Sequence, residues 1–222
     1  MFDFEKHIVF EDDVLLVCHK PAGLMVEPDR NNFPNLLHSA KNYVKDKQSN
    51  SLPYIQHLHR LDRPTEGLTL FTKDKAYLKH LSEQFANREV EKYYYALTLN
   101  SPTLLSGKLE NWHRKEKKKA CIVDESTAFA ELAKLEYQCQ EKNKLTLWNI
   151  KLLTGKYHQI RVQLSHINCP IIGDTLYGST ETYKTNAIAL FAYQLKIKHP
   201  KNLNLLDFNI SDKIIRELEY LF

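Results

Sequence analysis

The chain has 222 residues, enough for one large domain with a substantial core or for two small lobes sharing one. Lys plus Arg exceed Asp plus Glu by 31 to 27, and the net charge of +4 is compatible with a nucleic-acid partner without requiring one. No apolar run approaches the length that crosses a bilayer, the start MFDFEKHIVFEDD is acidic where a secretory signal is basic and then apolar, and the four cysteines form no CxxC pair. A cytoplasmic globular protein with reduced cysteines at 18, 121, 139 and 169 is the expectation, with no membrane contact.

The opening segments HIVF and VLLVCHK, around Glu11, Asp12 and Asp13, read as a hairpin running into the turn Pro21-Ala22-Gly23. Residues 29–51 are polar apart from Leu36, Leu37 and Tyr43, and a short helix is expected there. GLTLFTK reads as a strand, and Asp74 then caps a helical segment through Tyr77, Leu78, Leu81 and Phe85. YYYALTL, AFAELAKLEY and LTLWNIKLL are further strand candidates. Ile160, Leu164 and Ile167 have helical spacing, and a last helix is expected from Ser211 or Asp212 through Phe222. Strands with a few interspersed helices and no βαβ rhythm predict an α+β fold with a mostly antiparallel mixed sheet and flanking helices. Neither a repeat nor a linker divides residues 1–222, which read as a single domain.

Two clusters are dense enough in polar groups to carry chemistry. The first is HRLDRPTEG, where Asp62 stands between Arg60 and Arg63; neighbouring positive charge favours a carboxylate anion, which can serve as a nucleophile or an electrostatic stabiliser. A structural ion-pair knot is the alternative reading of this segment. The second is TGKYHQIR, followed by PIIGD. Arg161 can complete a charged site with Asp62 if the chain brings the clusters together, although a surface salt bridge is the commoner fate of such an arginine. The run Trp112-His113-Arg114-Lys115-Glu116-Lys117-Lys118-Lys119 can follow phosphates and stack a base, or be a solvated turn.

Three separated segments resemble, in order, the motifs of the RluA family of pseudouridine synthases: HRLDRPTEG, then Lys92-Tyr93-Tyr94-Tyr95-Ala96, then GKYHQIRVQ with PIIGDTLYG. The opening EDDVLLVCHKPAGL is similar to the family's first hairpin, so the likeness spans roughly residues 8 to 200. It implies the pseudouridine synthase catalytic fold with a central active-site cleft, as a single catalytic domain without the small N-terminal RNA-binding domain that some relatives carry. It further implies that Asp62 is the catalytic aspartate, Tyr94 the tyrosine against the target base, Arg161 the partner of the aspartate and Arg60 the residue filling the space of a flipped-out base. Arg63, Arg114, Lys115, Lys117, Lys118 and Lys119 are the further RNA-binding candidates. Three departures stand out: Glu66 where the family has a small serine, Gln163 where histidine is common, and Phe191 in place of the histidine of a late His-Ala pair.

The implied reaction breaks the bond between ribose and the base nitrogen, turns the base and rejoins ribose to a base carbon. No electrons are transferred, so no cofactor is expected, and no metal-ligand spacing is complete in the sequence. A carboxylate promotes glycosidic cleavage, and a tyrosine offers a stacking surface and a phenol for the proton. The expected partner is structured ribosomal or transfer RNA, whose uridine must leave the stack, and monomer is the default state. The rivals are an inactive RNA-binding chaperone or assembly factor on the same fold, and a carboxylate glycosidase using Asp174 as its second acid.

Overall fold

Runs of apolar residues between turn formers become strands wherever both faces are covered, and short polar-capped stripes become helices. In the computed structural model, which describes residues 2–30, 33–48 and 53–218, the elements are β1 (Ile8–Glu11), β2 (Leu15–Lys20), α1 (Leu36–Gln48), β3 (Gln56–His57), β4 (Glu66–Thr72), α2 (Leu78–Ala86), β5 (Glu91–Thr98), β6 (Ser106–Glu116), β7 (Lys119–Ile122), β8 (Glu131–Lys142), β9 (Leu145–Leu152), α3 (Gln159–His166), β10 (Leu190–Lys198), β11 (Leu205–Asn209) and α4 (Ser211–Leu218). They divide between two compact units, Met1–Val90 with Leu195–Asn209, and Glu91–Gln194 with Ile210–Phe222.

In the first unit β1, β2 and β4 are antiparallel neighbours, with Cys18 opposite Thr69, and β3 pairs with β4. The Asp12 carboxylate makes the first hairpin by accepting from the N–H groups of Val14 and Leu15 at 2.8 and 2.7 Å. All six residues of β2 are buried, which is why LLVCHK reads as a continuous run. α1 starts at Asn35, whose side chain accepts from the His38 N–H at 2.9 Å, and it seats Leu36, Leu37, Ala40 and Val44 against Leu16, Cys18 and Phe71. Each fully buried leucine there contributes about 1.5–3 kcal/mol. At 13 residues this helix is longer than the short one expected, because its apolar stripe is thin and lies among lysines. Asp74 caps as expected, accepting from the Ala76 N–H at 2.8 Å to open a 3-10 turn before α2. Gln84 on α2 then bonds both the carbonyl and the N–H of Lys198, at 3.0 and 3.1 Å.

The second unit is an antiparallel series β5–β9–β8–β6–β7. Trp148 is fully buried in β9 and its indole donates to the Thr98 hydroxyl at 2.8 Å. Helix α3 is held to the strands by Gln163, whose amide donates to the Leu109 carbonyl, the Asn111 side chain and the Ala133 carbonyl at 3.2, 2.9 and 3.3 Å. That network accounts for one departure from the family pattern: Gln163 is a buried structural tie. Phe191 accounts for another, fully buried and edge-on to Tyr183. α4 buries Ile214 and Leu218; the expected continuation to Phe222 lies outside the described residues. The antiparallel pairs and flanking helices agree with the α+β expectation, while β6, β7, β10 and β11 are strands that the sequence reading left out.

Candidate active site

Asp62 lies in the loop between β3 and β4, and that loop is tied on two sides. Toward β4, Leu58 donates to the Leu70 carbonyl at 2.9 Å, the Leu70 N–H donates back to His59 Nε2 at 3.2 Å, and the His59 ring stacks on Phe85. Toward the Pro21–Leu24 turn, Gly23 and Arg63 hold each other: the Gly23 N–H donates to the Arg63 carbonyl at 2.8 Å, and Arg63 Nε donates to the Gly23 carbonyl at 3.0 Å. The Thr65 N–H closes a turn onto the Asp62 carbonyl at 3.1 Å.

Beneath this loop sits a residue the sequence reading passed over. Lys20, at the end of β2, is fully buried, and its Nζ donates to the carbonyls of Pro21, Leu24 and Arg63 at 3.0, 2.7 and 3.3 Å. Burial pulls its pKa down to about 7, against the opposing pull of the Asp62 and Glu66 charges. The arginines that flank Asp62 in sequence have other partners: Arg60 is exposed and ion-paired with Glu27, which also lies 3.4 Å from His57, and Arg63 holds Gly23 and stands over the Phe33 ring. Within this unit the Asp62 charge is felt at Lys20. Glu66, the unusual residue of the motif, turns inward to His19 at 2.8 Å.

In the second unit, β5 separates its tyrosines as alternation requires. Tyr94 is buried, whereas Tyr95 stacks on Tyr193 with ring centroids 3.9 Å apart and Tyr93 donates to Glu91 at 2.9 Å. Arg161, in the first turn of α3, is buried and makes a fork with Asp174: Nε to Oδ2 at 2.7 Å and Nη2 to Oδ1 at 2.9 Å. Its guanidinium carbon stands 5.0 Å from the centre of the Tyr177 ring. Asp174 is itself buried, and the preceding Gly173 is required, since it has φ +87° and a Cβ would fall 2.8 Å from Tyr183. The candidate second acid of a glycosidase is thus engaged as an arginine clamp.

The basic run forms the β6–β7 hairpin, turning at Lys117 with φ 53°. Lys115, Lys117, Lys118 and Lys119 are exposed, while Arg114 pairs with Glu116. The hairpin is docked on the loop that starts α3. Tyr157 donates to the Lys118 carbonyl at 3.1 Å and lies under Lys115 Nζ, and the Tyr177 hydroxyl accepts from the Ala120 N–H at 2.7 Å and contacts His158 Nδ1 at 2.9 Å. Far apart in sequence, the basic run and the Arg161 motif are neighbours in this unit. Sequence reasoning had found Arg161 but neither Asp174 as its partner nor Lys20; the nearest signals were the lysine ending an apolar strand and the acid following an obligate glycine.

A family model described as RNA pseudouridylate synthase matches residues 14–166. The chain is 30% identical over 207 residues to the dual-specificity RNA pseudouridine synthase RluA of Escherichia coli K12, with 90% of each chain covered. Against the protein of the same name from Vibrio parahaemolyticus it is 32% identical over 203 residues, covering 88% of this chain and 78% of the relative. Among solved structures, human RNA Pseudouridylate Synthase Domain Containing 4 matches with a TM-score of 0.80 at 23% identity, covering 98% of this chain and 94% of the other. At that identity the likeness speaks for the fold alone.

Proposed function

The chain belongs to the RNA pseudouridylate synthase family and isomerises uridine to pseudouridine in RNA; from that premise we propose that Asp62, Tyr94 and Arg161 act together on one uridine. Asp62 supplies the carboxylate that promotes cleavage of the glycosidic bond, by attack on the nucleoside or by stabilising the charge that develops on it. Tyr94 offers the flat surface against which the freed base turns, and its phenol is the candidate acceptor for the proton lost from the new attachment carbon. Arg161 orients the Asp62 anion, and Asp174 orients Arg161. The isomerisation is redox-neutral, so these groups need no cofactor to complete it.

The observation that carries this reading is the anchoring of the Asp62 loop, tied to β4 through His59 and to the Pro21–Leu24 turn through Lys20 and Gly23. A carboxylate on a loop so held keeps its direction without reorganising at the moment of reaction. The substrate we propose is a uridine in a structured ribosomal or transfer RNA, extruded from its stack, with Arg60 leaving Glu27 to fill the gap and the Lys115–Lys119 hairpin following phosphates. Among the described residues no helix is long and apolar enough to cross a membrane; a cytoplasmic monomer is proposed. Asp62→Asn tests the assignment: isomerisation is abolished while folding and RNA affinity persist. Pseudouridine formation near the wild-type rate in that variant overturns it.

A further inference from the structure

Lys92 lies on β5 two residues before Tyr94, on the same face of the strand. Among the described residues its ammonium has no hydrogen bond or ion pair. Three other lysines of the unit have carboxylate partners: Lys134 pairs with Glu110, Lys151 with Glu91 and Lys156 with Glu131. Even the glutamate next to Lys92 in sequence is taken, by Lys151 and Tyr93. Lys92 is half-buried, and that burial lowers its pKa with no partner offsetting it.

Its Nζ ends beside Gly155, an exposed residue in the loop that leads into α3 and Arg161. A Cβ at position 155 would stand 3.1 Å from that nitrogen. Gly155 has no positive φ, so the backbone does not demand glycine there. What the missing side chain provides is room around the ammonium. The loop itself is fixed, since Gln159 Oε1 accepts from the Thr154 hydroxyl at 2.7 Å and from the Lys156 N–H at 3.1 Å.

A partly desolvated cation without an anion, at an opening kept clear by a glycine, is short of one group, and the substrate of this enzyme is a polyanion. We infer that Lys92 and Gly155 form a seat for an RNA backbone phosphate flanking the target uridine, fixing the sugar of that nucleotide relative to Tyr94. The inference rests on the proposed placement of the base against Tyr94. Lys92 is thereby a substrate-binding residue, separate from the β6–β7 hairpin, whose charges meet phosphates without defining one nucleotide.

The test uses the full chain and a synthetic stem-loop carrying the uridine found by pseudouridine mapping. The phosphates on either side of that uridine are replaced one at a time by neutral methylphosphonate. In wild type, one replacement weakens binding about tenfold; Lys92→Met weakens binding to the unmodified RNA by a similar factor and is insensitive to the same replacement. The salt slope of Lys92→Met falls by about 0.7–0.9 log units, the value of one contact. Lys92→Arg keeps most of the affinity, and Gly155→Ala loses affinity with Lys92 intact. Additive losses, or a Lys92→Met variant with wild-type affinity and salt slope, overturn the seat and leave Lys92 a packing residue. Asp62→Asn and Tyr94→Phe assayed on the same RNA separate the two ideas: turnover surviving in both defeats the active-site assignment, whatever the methylphosphonates do to binding.

Discussion

At the scale of single residues, the buried basic groups Arg161 and Lys20, one in each unit, differ in what holds them. Arg161 is gripped by the Asp174 carboxylate at both ends of a fork. Removing one partner of such a pair strands the other, at a cost of about 3–5 kcal/mol. Asp174→Ala is therefore expected to lower stability by that amount in chemical denaturation and to slow single-turnover isomerisation, because Arg161 loses the edge that aims it. Arg161→Lys keeps the charge but not the planar fork, so its rate should fall between wild type and Arg161→Ala. Equal rates in all three at temperatures where each is folded would show that Arg161 does not act on the reacting carboxylate. Lys20 is held by three carbonyls, and its pKa near 7 lies below the ordinary 10.5. Between those values the unfolded chain binds a proton that the folded chain has released, so stability rises with pH across the window. For one proton the slope approaches about 1.4 kcal/mol per pH unit. Urea titrations between about pH 7.5 and about 8.5 should show this slope reduced in Lys20→Met; an unchanged slope would mean that Lys20 stays protonated.

At the scale of elements, what the sequence disclosed followed from pattern, and what it hid followed from contact. The first hairpin, β4, β5, β9 and α3 are written in runs and periodicities that survive folding, and HRLD was legible because its polar density interrupts them. β6 and β7 were not, because Trp112–Lys119 has the composition of a solvated turn and becomes a hairpin through pairing with β8 and docking on Tyr157 and Tyr177. Lys20 was illegible for a related reason, since a lysine ending a strand looks like a surface group until carbonyls enclose it; Asp174 stood out as an acid, but its pairing with Arg161 has no mark in the sequence. The docking also bears on the hairpin's expected role. Its ties to α3 use the backbone at Lys118 and Ala120, so neutralising the side chains of Lys117, Lys118 and Lys119 leaves the ties in place. RNA affinity should fall, with the salt slope reduced by up to about 0.9 log units per lost duplex contact, while the single-turnover rate at saturating RNA stays near wild type. Unchanged affinity and slope in the triple variant would make the hairpin a solvated turn after all.

At the scale of the whole molecule, neither compact unit is one continuous stretch of chain. The first takes back Leu195–Asn209 after the second has begun, and the second takes back Ile210–Phe222. Strand β10 runs through the boundary without a break, its residues up to Gln194 counted in one unit and those from Leu195 in the other. The returning segment is needed where it lands: in the first unit Gln84 bonds both backbone groups of Lys198, and His199 Nε2 contacts Asp12 at 3.0 Å. A fragment of residues 1–90 lacks these partners and is expected not to fold alone. A strand common to both units ties their unfolding together, and the units are expected to unfold in one step. The cysteines report on this separately, since Cys18 is buried in the first unit and Cys139 and Cys169 in the second, all with thiol pKa values raised by burial. In native conditions a thiol reagent should react first at the partly exposed Cys121. Across a urea titration Cys18 should then become reactive at the same midpoint as Cys139 and Cys169. A midpoint for Cys18 clearly apart from the other two, read by mass spectrometry of labelled peptides, would show that the strand does not couple the units and that each is stable by itself.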